Sequence, residues 1–278
     1  MIVAKLEKFD VEVICIGNPR SMSASKNEVI DIDLASEWDT RKLPTKVDTI
    51  LHLAQSSEFR NVPQKALDVF NVNVRSTAVL LDYGHRTNVE KFIYTSTGGV
   101  YSPSLNKHTE TSPLVEYCDL GFYLGSKAAG EICVGSYKSE FVTQIYRPFF
   151  IYGARQKANM LLPRLFNNVK NGKPIQLSGS EGIKVNPIHV ADAANAVLSG
   201  LNQPNDLLVN LAGPDIFSLK QICDLFGEYL GKEPVYQFVD EAASNLVADT
   251  TSMLSIDFQP KHHLRDSLRE IEISAANL

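Results

Sequence analysis

Short β-branched apolar runs alternate with longer stretches of helical periodicity along most of the chain. Residues 11–16 read as a strand ending at Gly17-Asn18-Pro19, residues 28–34 as a second strand and 47–54 as a third. Residues 68–85 predict a helix, 91–96 a strand, 121–139 a helix and 141–146 a strand. Strands and helices alternating in this way predict an α/β fold, a parallel sheet with helices on both faces. After Gly153 the pattern changes. Residues 161–170 predict a helix, Gly172-Lys173-Pro174 and 179–182 are turns, and the extended run 185–190 leads into a helix over 191–201. A late strand follows at 207–212, then an amphipathic helix over 218–230 with Ser218 as its N-cap, and the helical run 264–271. The expected organisation is a sheet domain over 1–152, with segments near 185–213 interleaved into it, and a smaller lobe over 153–278.

The 278 residues suit one large or two modest domains. With 44% hydrophobic and 21% charged residues, a disordered or collagen-like chain is excluded. A net charge of −5 argues against a nucleic-acid-binding surface. Cys15, Cys118, Cys133 and Cys223 form no C-x-x-C pair and none lies at zinc-finger spacing from a histidine. No structural metal is therefore expected, and the cytoplasm is the expected compartment. No apolar run approaches the roughly 18 residues of a membrane span, and the first ten residues are too short and too charged for a signal peptide.

Candidate chemistry begins with Tyr123-Leu-Gly-Ser-Lys127 on a predicted helix. The i, i+4 spacing puts both side chains on one face. An ammonium beside a phenol favours phenolate, and a tyrosine tuned that way can exchange a proton with a substrate hydroxyl. The plain alternative is a surface Tyr/Lys pair. Tyr94-Thr-Ser-Thr-Gly-Gly-Val-Tyr101 closes a strand with hydroxyls and glycines, which puts Thr97 or Ser96 at the C-terminal edge of a parallel sheet, where ligands bind. The alternative here is an ordinary Ser/Thr/Gly turn.

Together with His52-Leu-Ala-Gln55, Asn73-Val-Arg-Ser-Thr77, Arg147-Pro-Phe-Phe-Ile-Tyr-Gly153 and Pro187-Ile-His-Val-Ala-Asp192, these segments resemble, in order and spacing, the extended short-chain dehydrogenase/reductases, the NAD-dependent epimerase/dehydratases. The resemblance runs from residue 1 to about 275 and includes the stretch 249–268. It implies a Rossmann-like sheet and an enzyme that moves hydride between nicotinamide C4 and a substrate carbon. Tyr123 would be the acid/base and Lys127 would hold the nicotinamide ribose, with Thr97 the catalytic hydroxyl and Ser96 its near alternative. Leu53 and Ala54 would line the cofactor, Asn73 would support the adjoining strand ends, Asn73 and Arg147 would count among the cofactor-binding residues, and Asp33-Leu34, or Asp31-Ile32, would meet adenine. His189 matches a common second-lobe position, either as a substrate contact or as a satisfied structural histidine. A homodimer through the helices around 68–85 and 121–139 is also implied.

The chain departs from the family pattern in three places. No strand followed by G-x-x-G-x-x-G opens it; residues 1–9 look like the second half of the helix that follows those glycines. Roughly twenty residues, including the central first strand, are expected to be missing. A downstream start, a native re-paired sheet with weak cofactor binding, and a gap filled by another segment are the competing readings. Next, Gly17 stands where the family has its ribose-binding acid, and Arg20 is near enough to meet a 2′-phosphate, so within NAD(P) the choice tilts toward NADP. Finally, Gly98-Gly99 replaces the Asp-Glu of nucleotide-sugar 4,6-dehydratases, which argues against that elimination. Phe150 and Val185 replace polar contacts to a nucleotide diphosphate, and Arg155 is a candidate anion ligand. The expected function is an NAD(P)-dependent epimerase or oxidoreductase acting on a nucleotide sugar or related small molecule. An NADP-dependent carbonyl reductase and a non-catalytic scaffold protein are the alternatives.

Overall fold

The structure, a computed structural model, describes residues 1–17, 26–241 and 244–276. The elements in chain order are α1 (Ile2–Leu6), β1 (Ile14–Gly17), β2 (Glu28–Asp31), β3 (Thr49–His52), α2 (Ala66–Phe70), α3 (Ser76–Arg86), β4 (Lys91–Thr95), α4 (Gly121–Gly135) and β5 (Val142–Pro148). They continue with β6 (Ile151–Tyr152), α5 (Leu161–Lys170), β7 (Ile175–Ser178), β8 (Lys184–Val185), β9 (Ile188–His189), α6 (Val190–Leu201), β10 (Leu207–Leu211), β11 (Phe217–Ser218), α7 (Leu219–Leu230), β12 (Tyr236–Val239) and α8 (Leu268–Ala276). They form two compact units. The first comprises residues 1–100, 115–147 and 200–208, and the second 101–114, 148–199 and 209–278.

The four-stranded sheet has the order β10-β5-β4-β3, and its strands β3 and β4 with β5 as far as Arg147 organise the first unit. β3 pairs parallel with β4, and β4 with β5. In β4, Lys91, Phe92, Ile93 and Tyr94 are all buried, as expected for an inner parallel strand covered on both faces. The buried Lys91 is satisfied by donating its ammonium to the carbonyls of Leu201 and Gln203. β1 and β2 pair parallel as a separate two-stranded sheet. Among the described residues no strand joins β1 to β3, and this break falls where the resemblance places the central strand. Leu80, Leu81, Phe92, Tyr94, Val134, Phe141 and Ile145 form the unit's core.

The predicted helix over 68–85 forms, running through α2 and α3 with a π turn at Asn71–Arg75 between them. The wider turn admits Asn73, which is fully buried and hydrogen-bonded on both sides of its amide. The strand predicted over 28–34 stops at Asp31, because the Asp33 carboxylate accepts the Ala35 N–H at 3.0 Å and turns the chain.

In the second unit, α5, α7 and α8 pack around Leu162, Phe166, Leu177, Ile222, Phe226 and Leu268. Phe166 and Phe226 meet edge to face at 5.3 Å. α7 starts at the N-cap that its sequence predicts, and the structure completes it as a capping box. Ser218 Oγ accepts from Gln221 N at 3.1 Å, and Gln221 Oε1 accepts from Ser218 N at 2.8 Å.

Candidate active site

Three segments of the first unit converge: the exit of β3 (Leu53, Ala54, Gln55), the exit of β4 (Ser96, Thr97), and α4, which carries Tyr123 and Lys127. Because β3 and β4 are parallel, their C-terminal ends lie on one edge of the sheet. Lys127 is almost fully buried. Its ammonium donates to Ala54 O at 3.2 Å and Thr95 O at 2.9 Å, and sits 5.1 Å from the centroid of the Tyr94 ring. Tyr94 fits under α4 only because residue 130 is glycine, since a Cβ there would stand 2.2 Å from the phenol oxygen. Burial pulls Lys127 down to about 8, with the Glu131 carboxylate acting the other way. Below that value the amine carries its charge.

His52 lies on the same edge. Burial first, and the charge of Lys127 second, push its imidazole down to about 3, so it is neutral at physiological pH. Its Nε2 is 3.0 Å from Thr77 Oγ1, and the Thr77 hydroxyl donates to Asn73 O at 2.8 Å, which leaves the histidine as the donor to threonine. Asn73 then ties the segments together. Its Oδ1 accepts from Ser56 N at 3.2 Å, its Nδ2 donates to Ser126 Oγ at 2.9 Å, and Ser126 Oγ donates to Tyr123 O at 2.7 Å.

Tyr123 is half-buried. Its hydroxyl donates to Gln55 Oε1 at 2.9 Å, and the Phe59 ring lies 4.8 Å from its own. Burial pushes the phenol up to about 12, opposed by the Thr97 hydroxyl. This reverses the expectation that Lys127 lowers it. The ammonium donates instead to the carbonyl of Thr95 at the end of β4 and to that of Ala54 just past β3. Ser96 Oγ is buried with no partner among the described residues, and Thr97 Oγ1 accepts from Gly99 N at 3.2 Å.

Arg147 is committed to Glu131 on α4, through Nε–Oε1 at 2.9 Å and a second contact at 2.5 Å to Oε2. Asp33 is exposed and held in its local turn, and Leu34 packs against the core of the first unit. Arg20 lies outside the described residues. Phe150, Arg155 and His189 belong to the second unit. Phe150 has φ 46° and packs against that unit's apolar core, while Arg155 is exposed with φ 68°. His189 is buried and fully engaged. Its Nε2 is 3.1 Å from Glu270 Oε2, its Nδ1 accepts from Ala191 N at 3.2 Å, and its ring stacks on His262 at 4.4 Å. Both ring nitrogens are thus engaged within the second unit.

Sequence reasoning assigned no role to Gln55, Ser126, Glu131 or the Tyr94 ring. Glu131, four residues beyond Lys127 on the same helix face, was the one with a readable signal.

A family model described as the NAD dependent epimerase/dehydratase family matches residues 1–212. Human dTDP-D-glucose 4,6-dehydratase is 31% identical over 160 residues, which cover 57% of this chain and 45% of that protein. The chain thus spans less than half the length of this relative. An uncharacterized UDP-glucose epimerase of Bacillus subtilis is 25% identical over 252 residues, 87% of this chain and 77% of that one. Among solved structures, a UDP-glucuronic acid 4-epimerase from Bacillus cereus, in complex with UDP-glucuronic acid and NAD, superposes with a TM-score of 0.83 at 21% identity, covering 98% of this chain and 94% of that chain.

Proposed function

The chain belongs to the NAD-dependent epimerase/dehydratase family, and from that membership we propose that it is an NAD(P)-dependent epimerase acting on a nucleotide sugar. The observation that carries this reading is that Tyr123 beside the Thr97 hydroxyl, and Lys127 on the Thr95 carbonyl, lie at the C-terminal edge of a parallel sheet. Lys127 spends two of its three N–H donors on protein carbonyls and keeps one for a ribose hydroxyl. The orphaned Ser96 hydroxyl is a buried group that a polar ligand would satisfy. These residues fit the nicotinamide-ribose end of the cofactor. The pyrophosphate end has no assigned residue, because the 278 residues contain no G-x-x-G-x-x-G.

The cofactor, when bound, accepts a hydride and returns it. Once Tyr123 has lost its own proton to solvent, its phenolate oxygen takes the proton of the substrate hydroxyl as the carbon is oxidised and gives it back on reduction. Thr97 donates a hydrogen bond to the same oxygen and fixes its position. Lys127 supplies the positive potential that makes a transient phenolate affordable. Gly98-Gly99 provides no acid/base pair for eliminating water, so 4,6-dehydration is not proposed, although a dehydratase is among the relatives. Gly17, in place of an acidic residue, tilts the cofactor choice toward NADP. The apolar Phe150 favours a second reading, a carbonyl reductase that consumes its cofactor. Exposed Leu67, Phe70, Phe122 and Ile132 on the helices of the first unit support self-association.

Titration with NADH and NADPH, followed by nicotinamide fluorescence, and then turnover of UDP-glucose, tests the proposal. Binding of either cofactor, with interconversion at the sugar carbon and no net cofactor consumption, is expected. Tyr123→Phe should keep cofactor binding and lose at least a hundredfold in kcat, the usual worth of a general acid/base. Net cofactor consumption would give the reductase reading instead. Failure to bind either cofactor would overturn both and leave a non-catalytic scaffold.

A further inference from the structure

Gln55 follows β3 by three residues, and its neighbours are pinned. Ser56 N donates to Asn73 Oδ1 at 3.2 Å, the Ser56 hydroxyl bonds the Asp68 carboxylate, and Glu58 N donates to Ser56 Oγ at 3.0 Å. The same short segment reaches Tyr123 twice. Gln55 Oε1 accepts the phenol proton at 2.9 Å, and Phe59 covers the phenol ring at 4.8 Å, with the Arg60 guanidinium 5.1 Å from the Phe59 centroid. An amide oxygen accepts and cannot donate, so this bond exists only while Tyr123 is protonated. It favours the neutral phenol, in the same direction as burial and against the Thr97 hydroxyl.

We propose that Gln55 is a positioning residue for Tyr123: its amide oxygen holds the phenol proton, and a substrate hydroxyl that exchanges a proton with Tyr123 must first displace that amide. The inference deepens the proposed reading, since it rests on Tyr123 as the acid/base. It adds a regulator of when that base becomes available. The segment after β3 then serves two purposes. Its backbone carbonyl at Ala54 orients Lys127, and the next side chain sets the protonation of the tyrosine that Lys127 accompanies.

The test uses the full chain with 3-fluorotyrosine placed at position 123. Its phenol is intrinsically more acidic, so the titration finishes below denaturing pH, and ¹⁹F NMR reads that site alone. Gln55→Leu keeps the volume and removes the acceptor, and the midpoint should fall by about half to one pH unit, the size expected for one hydrogen bond. Gln55→Glu replaces the amide with a stronger, negatively charged acceptor, and the midpoint should rise. A midpoint unchanged or raised in Gln55→Leu overturns the proposal, as does a fall in Gln55→Glu. The readout needs neither cofactor nor substrate. If the midpoints move as expected while no cofactor binds, the enzymatic reading fails and the Gln55 assignment stands. If turnover is found while the midpoints stay fixed, the assignment alone fails.

Discussion

The ion pair between Glu131 and Arg147 makes a sharp test of how the first unit is held together. The two side chains are 11% and 4% exposed, and they meet through two N–H···O contacts at 2.9 and 2.5 Å. Desolvating both charges is expensive, and their attraction does little more than offset that cost. Removing one partner leaves the other buried without this counter-charge. Glu131→Gln or Arg147→Met should therefore each destabilise by about 3–5 kcal/mol. Replacing both by Met leaves no orphaned charge and should cost far less than the sum of the singles, giving a coupling energy of roughly 3 kcal/mol or more in a double-mutant cycle. Urea denaturation followed by Trp38 fluorescence reads this cleanly, because Trp38 is the only tryptophan and lies in the same unit. A cost below about 1 kcal/mol for Glu131→Gln, the value of a surface pair, refutes the reasoning. So does a double variant as unstable as the two singles combined. Glu131 also raises Lys127 toward its ordinary value, so Glu131→Gln should lower the Lys127 midpoint below about 8.

Lys127 makes stability depend on pH. Its folded value of about 8 lies below the 10.5 of an ordinary lysine, so the buried ammonium costs stability at neutral pH and the cost is relieved as pH rises from about 8 to 10.5. At 1.36 kcal/mol per pH unit the gap corresponds to about 3 kcal/mol. The stability of the wild type relative to Lys127→Met should rise by that order across the window in urea titrations, and a flat difference refutes it. Gly200→Ala should destabilise by about 1–3 kcal/mol, because its Cβ would fall 1.7 Å from the Tyr146 hydroxyl. Adding Tyr146→Phe should recover part of the lost Tm, and no recovery would show that the clash lies elsewhere.

The parallel sheet was legible because its strands are short, β-branched and separated by helical periodicity, and the Tyr123/Lys127 pair because four residues on a helix is a local distance. Asn73 shows where legibility ends. Its importance depends on Ser56, 17 residues away, and Ser126, 53 residues away, joined through a π turn that has no composition of its own. Helical periodicity runs straight through Asn71–Arg75, and only the buried amide marks the extra residue. Tyr94 is similar. As a sequence position it is an apolar strand residue, and its role as the seat of an ammonium needs α4 to cross it at a glycine.

The protonation of Tyr123 is the most instructive departure. From sequence, the nearest partner of a helical tyrosine is the lysine one turn on, and the electrostatic consequence is a lowered phenol pKa. In the fold, that lysine is drawn inward. The last carbonyls of β3 and β4 emerge at the sheet edge, and the Lys127 ammonium satisfies one of them and the Ala54 carbonyl beside the other. Burial then weakens the ammonium and the phenol together, each toward its neutral form. A pair read as acid beside base is thus two neutral-leaning groups under one desolvation cost. What sets the balance between them is their polar neighbours: Thr97 toward phenolate, Glu131 one turn along α4 toward ammonium, and, in the role we propose for it, Gln55 toward phenol. The spacing of the motif specifies which groups meet, and the chain segments around it specify their charge.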